Sequence, residues 1–162
     1  MAPCSPCSPD ADVDVTATLE APCSPEALFE CVSDLTSYPK WLDIVPRAVP
    51  AAAAGGPPAW TVDLRGRLGP FARSKRLRMV RTRNDAPHAV VFERQENDGR
   101  SHSPWTLSAD VDPGSGGSRL TMRLHYGGGL WGPIVERLLS DEIERSKLRL
   151  LALIQSSRTS EG

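Results

Sequence analysis

The chain has 162 residues, 40% of them apolar and 24% charged, and a formal net charge of −1. This is the make-up of one globular domain, able to bury roughly 70% of its unfolded surface. Bulk charge favours no class of partner, and no apolar run reaches the roughly 18 residues that a membrane-spanning helix needs.

No Lys or Arg precedes Lys40, and no apolar stretch opens the chain. Neither a signal nor a transit peptide is therefore expected, and the default address is the cytoplasm. The four cysteines are Cys4, Cys7, Cys23 and Cys31. Cys4 and Cys7 form a C-x-x-C, but neither a second close pair nor a nearby histidine completes a zinc set, so no metal site is assigned.

Residues 1–11, rich in proline and serine, read as a disordered tail. Val13, Val15, Ala17 and Leu19 alternate with polar residues, the period of a half-buried strand that Pro22 ends. Ser24 offers an N-cap, Pro25 the first helical position and Glu26 a first-turn acid, so a helix runs to about Ser33. A second short helix or turn spans Leu35 to Tyr38, followed by an apolar cluster of Trp41, Leu42, Ile44 and Val45. Residues 50–58 read as a loop.

About five strands come next. Trp60, Val62 and Leu64 alternate with polar residues, and Leu68-Gly69-Pro70 turns the chain. Residues 71–83 form a long basic strand and 88–95 another. Asn97-Asp98-Gly99 is a hairpin signal. Ser103, Trp105, Leu107, Ala109 and Val111 share one strand face, and Pro113 to Gly117 reads as a flexible loop. Leu120, Met122, Leu124 and Tyr126 give the last alternation. Gly127-Gly128-Gly129 then breaks the sheet as a hinge. A helix from Gly132-Pro133 to about Ser157 carries a broad apolar face. The predicted domain is 12–157, with a disordered tail over 158–162. Strands followed by a long helix indicate an α+β fold, in which the apolar sheet face and the helix bury each other.

The order of elements and one local motif resemble the START-like (SRPBCC) superfamily, the helix-grip fold. The motif runs from Ala21-Pro22 to Val49: a strand, "AP", a helix ending in "VSDL", then "YPKW". It is similar to the opening of polyketide cyclase/dehydrase-like and lipid-transport proteins, and the likeness covers residues 13–155. It implies a curved antiparallel sheet wrapped around the long C-terminal helix, with two short helices after the first strand. It also implies a cavity between sheet and helix for a hydrophobic ligand.

Strand parity names the expected wall of that cavity, since the apolar side of each strand faces the helix. It comprises Trp60, Val62, Leu64, Trp105, Leu107, Leu120, Met122, Leu124 and Tyr126, with Ile134, Val135, Leu138 and Glu142 from the helix. Tyr38 and Trp41 are expected at the mouth. His102 and His125 fall on polar strand faces and His88 at a strand start, so all three read as surface residues.

Residues 64–84 hold eight cations and no acid. Leu77 and Met79 share a face with Arg73, Lys75 and Arg81, while Arg76 and Arg78 share the other with Val80. A regular strand therefore turns some cation inward, unless a bulge intervenes. Arg81 and Arg76 are the leading candidates to hold a carboxylate, phosphate or enolate oxygen.

Three functions follow as expectations. The first is binding or transport of a lipid, isoprenoid quinone or polyketide-like ring compound, with no cofactor. The second is a cyclase/aromatase-type enzyme using Tyr126, Arg81 and Arg76. The third is a protein-interaction or toxin-like module using the basic strands. Without aromatic residues between Phe71 and Phe92, those strands offer no stacking platform for nucleic acid. Peripheral membrane contact stays open.

Overall fold

The computed structural model describes residues 13–53, 55–68, 71–127 and 132–160, and gives backbone alone for 67–68, 71–73 and 132–139. The tail over 1–11, with Cys4 and Cys7, lies outside the described residues. β1 (Val13–Ala21) turns Val13, Val15, Ala17 and Leu19 to one side and exposes the polar residues between them. α1 (Pro25–Val32) begins where the Ser24 hydroxyl accepts the Ala27 amide at 3.3 Å, with Pro25 at its start. A 3-10 turn, Leu35–Lys40, is capped by the Asp34 carboxylate accepting the Thr36 amide at 2.8 Å. It runs through Pro39, two residues beyond the expected end, because the fixed φ of proline suits a helical turn.

Six strands follow: β2 (Arg47–Ala51), β3 (Ala59–Leu68), β4 (Phe71–Asp85), β5 (Ala89–Arg94), β6 (Trp105–Gly114) and β7 (Gly117–Tyr126). The one beyond expectation is β2, a short edge strand whose Pro50 masks its pattern and is tolerated because nothing pairs on its far side. The sheet is antiparallel throughout, in the order β1-β7-β6-β5-β4-β3-β2. The first strand therefore lies beside the last, with Val15 opposite Leu124, Ala17 opposite Met122 and Leu19 opposite Leu120.

Two turns differ from the sequence reading. Gly99 does take a left-handed φ of 71°, yet it sits inside a connection spanning 95–104 and not in a tight hairpin. The Arg94 side chain explains this: it donates to Glu96, to the Ser103 carbonyl and to His102, folding the loop around itself. The expected loop over Pro113–Gly117 is instead a tight hairpin in which Gly114 pairs with Gly117. Gly117 has φ +150°, and a Cβ there would strike the Ala21 carbonyl oxygen and approach the Cys23 amide at 2.9 Å. Gly117→Ala is therefore expected to cost about 2 kcal/mol or more, read as a lower midpoint in chemical denaturation.

α2 (Gly132–Thr159) packs on β1, α1 and the 3-10 turn. Leu150 and Ile154 are each 2% exposed, and Ile143 lies about two turns before Leu150 on the same face. The helix runs two residues past Ser157, and the Arg158 guanidinium donates to the Pro22 carbonyl at 2.7 Å. That contact places the first residues of the predicted tail in the fold. Gly127 donates its amide to the Pro104 carbonyl, whereas Gly128 and Gly129 lie outside the described residues. Among the described residues, no helix is long and apolar enough to cross a membrane.

Candidate functional site

The concave face of the sheet and α2 do not close on each other completely. Between them lies an apolar cavity of about 120 Å³. Val62 and Leu64 of β3, Trp105 and Leu107 of β6, and Leu120, Met122 and Leu124 of β7 are on its wall, where parity places them. These residues converge because directly opposed partners in an antiparallel sheet share a face. Val62 faces Leu77, and Leu107 faces Leu124, which in turn faces Val15.

Several wall residues were not foreseen. Val15, Ala17 and Leu19 come from β1, and Leu77 and Met79 from β4. Their period-two alternation was visible in the sequence. Missing was the knowledge that β1 pairs with β7, more than a hundred positions away. From α2 the wall receives Ile143, Leu150 and the polar residues Glu142, Ser146 and Lys147. Ile134, Val135 and Leu138 have side chains outside the described residues.

Trp60 and Tyr126 are displaced from the expected wall. Trp60 is 5% exposed, donates its indole N–H to the Thr36 hydroxyl at 3.1 Å and meets Phe92 edge-on at 5.6 Å. The 3-10 turn holds this ring away from the hollow. Tyr126 packs against Trp105 with ring centres 4.6 Å apart and joins a small cluster with Val13 and Val15. Tyr38 and Trp41 do line the cavity, but at 1% and 4% exposure they are core residues and form no opening to solvent. The Tyr38 hydroxyl donates to the Val32 carbonyl at 2.8 Å. Burial, reinforced by Asp34, pushes its pKa far up, so it remains a fixed donor and not an acid–base group.

The arginine candidates are also elsewhere. Arg76 lies directly across from Asp63 and pairs with it through two hydrogen bonds of 2.6 and 3.1 Å on the outer face. The hydrogen bonding of Arg76 holds the Asp63 carboxyl below the usual carboxylate range. Arg81 sits where a register shift interrupts β4, over the Trp60 ring at 5.9 Å, and its guanidinium donates to the Ser33 carbonyl at 3.1 Å. It thus caps the C-terminal end of α1, a favourable place for a cation. The expected trio of Tyr126, Arg81 and Arg76 is not assembled in one place.

Arg81 shares the inward parity but is held over Trp60, and the inward cation next to the cavity wall is Lys75, opposite Leu64 on the face shared with Leu77 and Met79. Its ammonium lies 5.8 Å from the centre of Trp105 and 5.6 Å from that of Tyr126. The histidines stand apart from the cavity wall. His102 bonds Asp98 and Arg94, His125 bonds Asp14, and His88 is exposed in the β4–β5 turn.

A family model described as polyketide cyclase/dehydrase and lipid transport matches residues 12–154. Among curated proteins nothing matches the chain. Solved structures agree on the fold. A START superfamily protein from Mycobacterium smegmatis superposes with TM-score 0.69 at 20% identity, over 88% of this chain and 97% of that one. A protein from Nitrosomonas europaea does so with TM-score 0.68 at 10% identity, over 91% of this chain and 97% of the other. The di-domain ARO/CYC StfQ from the steffimycin biosynthetic pathway matches with TM-score 0.61 at 16% identity. There the likeness covers 92% of this chain and 52% of StfQ. These likenesses establish the START-like, helix-grip fold read from the sequence.

Proposed function

The chain belongs to the polyketide cyclase/dehydrase and lipid transport family, and from that premise we propose that it binds an apolar, ring-sized small molecule between sheet and α2. The observation that carries this reading is the apolar cavity of about 120 Å³ bordered by residues of the buried core. An aliphatic cavity of about 150 Å³ admits one benzene ring, so the room here suits a ring or a short chain without rearrangement. Anything larger requires α2 or the loops around it to move.

The indole N–H groups of Trp41 and Trp105 are buried on this wall with no hydrogen-bond partner among the described residues. A buried unpaired donor costs about 1–3 kcal/mol. A bound molecule bearing an acceptor oxygen would relieve it, which favours a ketone, quinone or ester over a plain hydrocarbon. Binding is preferred to cyclase-type catalysis because catalysis needs a positioned titratable group. On the wall, Tyr38 is locked as a donor, Lys147 is paired with Glu144 at 2.5 Å, Ser146 donates to the Glu142 backbone carbonyl, and the Glu142 carboxylate is bridged to Arg145 at 3.4 Å.

Native mass spectrometry of freshly purified protein tests the proposal. The expected spectrum contains a species heavier than the bare chain that disappears after extraction with organic solvent. A bare-chain mass alone, together with no thermal shift on adding apolar ring compounds, would count against it, because a ligand that binds only the folded state must raise the melting temperature.

A further inference from the structure

One cation on the concave face has ring contacts but no ion pair among the described residues. Lys75 faces inward on β4, yet no described carboxylate lies within salt-bridge distance of it. The cations flanking it are committed: Arg76 to Asp63, Arg78 to the Gln95 and Ala52 carbonyls, and Arg94 to Glu96 at 2.9 Å. β5 ends at Arg94, so no strand separates Lys75 from β6 at this level. Through that gap the lysine reaches the rings of Trp105 and Tyr126.

Trp105 has two surroundings. It belongs to the cavity wall, and it also carries the Lys75 ammonium. The lysine thus sits beside the wall of the hollow while its own residue surface remains largely exposed. Lysine is mobile and strongly hydrated, and an ammonium over half-buried aromatic rings such as these gains about 0.5–2 kcal/mol. A charge-assisted hydrogen bond to an anionic oxygen is stronger than that.

We infer that Lys75 is an anion-binding residue at the rim of the cavity, fixing the carboxylate end of an amphipathic ligand whose apolar body lies against Trp105. This rests on the proposed small-molecule function and narrows its ligand class to acids with an apolar ring or chain. Desolvation against the rings and the nearby Arg94 lower the Lys75 pKa, while Glu96 opposes them. An incoming carboxylate would reverse that penalty.

The test compares 4-phenylbutanoate with 4-phenylbutan-1-ol, which share a ring and tether and differ in charge. Titration calorimetry on the full chain is expected to show the acid binding about tenfold more tightly than the alcohol. Lys75→Met should remove that preference and leave alcohol affinity unchanged, while Lys75→Arg should retain it. An intact melting temperature in both variants would confirm that folding is preserved. An undiminished acid preference in Lys75→Met overturns the assignment to Lys75 and leaves the cavity reading standing. Binding of neither compound by the unmodified protein overturns both.

Discussion

Replacing Ala17 with Phe is expected to weaken binding of 4-phenylbutan-1-ol at least tenfold while leaving the melting temperature unchanged or higher. Ala17 is the smallest side chain that β1 places on the cavity wall, and it lies opposite Met122. A phenyl ring attached there is comparable in size to the 120 Å³ it would enter. Inserting a large side chain into a filled core ordinarily costs about 1–3 kcal/mol through strain. Into a hollow, it adds dispersion contacts and buries apolar surface. Loss of binding with retained stability therefore identifies this volume as the ligand site. Titration calorimetry and a thermal melt on the same preparation separate the two effects. Unchanged affinity in a folded Ala17→Phe variant would place the ligand elsewhere.

Phe92→Ala carries the largest expected loss of stability, about 3–5 kcal/mol. Phe92 is 0% exposed and packs edge-on against Trp60 at 5.6 Å and Tyr38 at 6.4 Å. It joins three elements that are distant in sequence: the 3-10 turn through Tyr38, β3 through Trp60, and β5 on which it sits. Removing the ring leaves a cavity that these partners cannot close, since Tyr38 and Trp60 are each held by a hydrogen bond. For a chain of this size, such a loss lowers the melting temperature by about 6–20 °C. Phe92→Leu retains most of the volume and should lose much less. If Phe92→Ala melted within about 2 °C of the unmodified protein, this aromatic cluster would not be the support it is taken to be.

The two variants divide the proposed binding wall from its support. Ala17 borders empty space, whereas Phe92 sits where the core is already filled. Trp60 belongs with the second group despite its inward parity, because the Thr36 hydroxyl and the Phe92 edge hold its ring. Removing the Trp60 ring should therefore change stability more than ligand affinity.

Local chemistry was enough to read most of the fold. Ser24, Pro25 and Asp34 fix where the helical segments begin, since capping needs only neighbouring residues. Alternation along Val13–Leu19, Trp60–Leu64, Trp105–Val111 and Leu120–Tyr126 determines which side of each strand is apolar, since side chains on a strand repeat every two positions. Hence seven wall residues and the α+β order were legible from the chain itself.

What tertiary structure decided depends on contacts between distant segments. Pairing of β1 with β7 brings Val15, Ala17 and Leu19 onto the wall, and no local pattern specifies that partner. The Ser33 carbonyl and Trp60 ring that hold Arg81, the Asp63 carboxylate across from Arg76 and the early end of β5 together leave Lys75 as the inward cation beside the cavity wall. Parity could say that one should exist, but not which one. The size of the hollow also belongs to the assembled molecule, because it is the volume left over once rings such as Trp60 and Tyr126 have been held elsewhere.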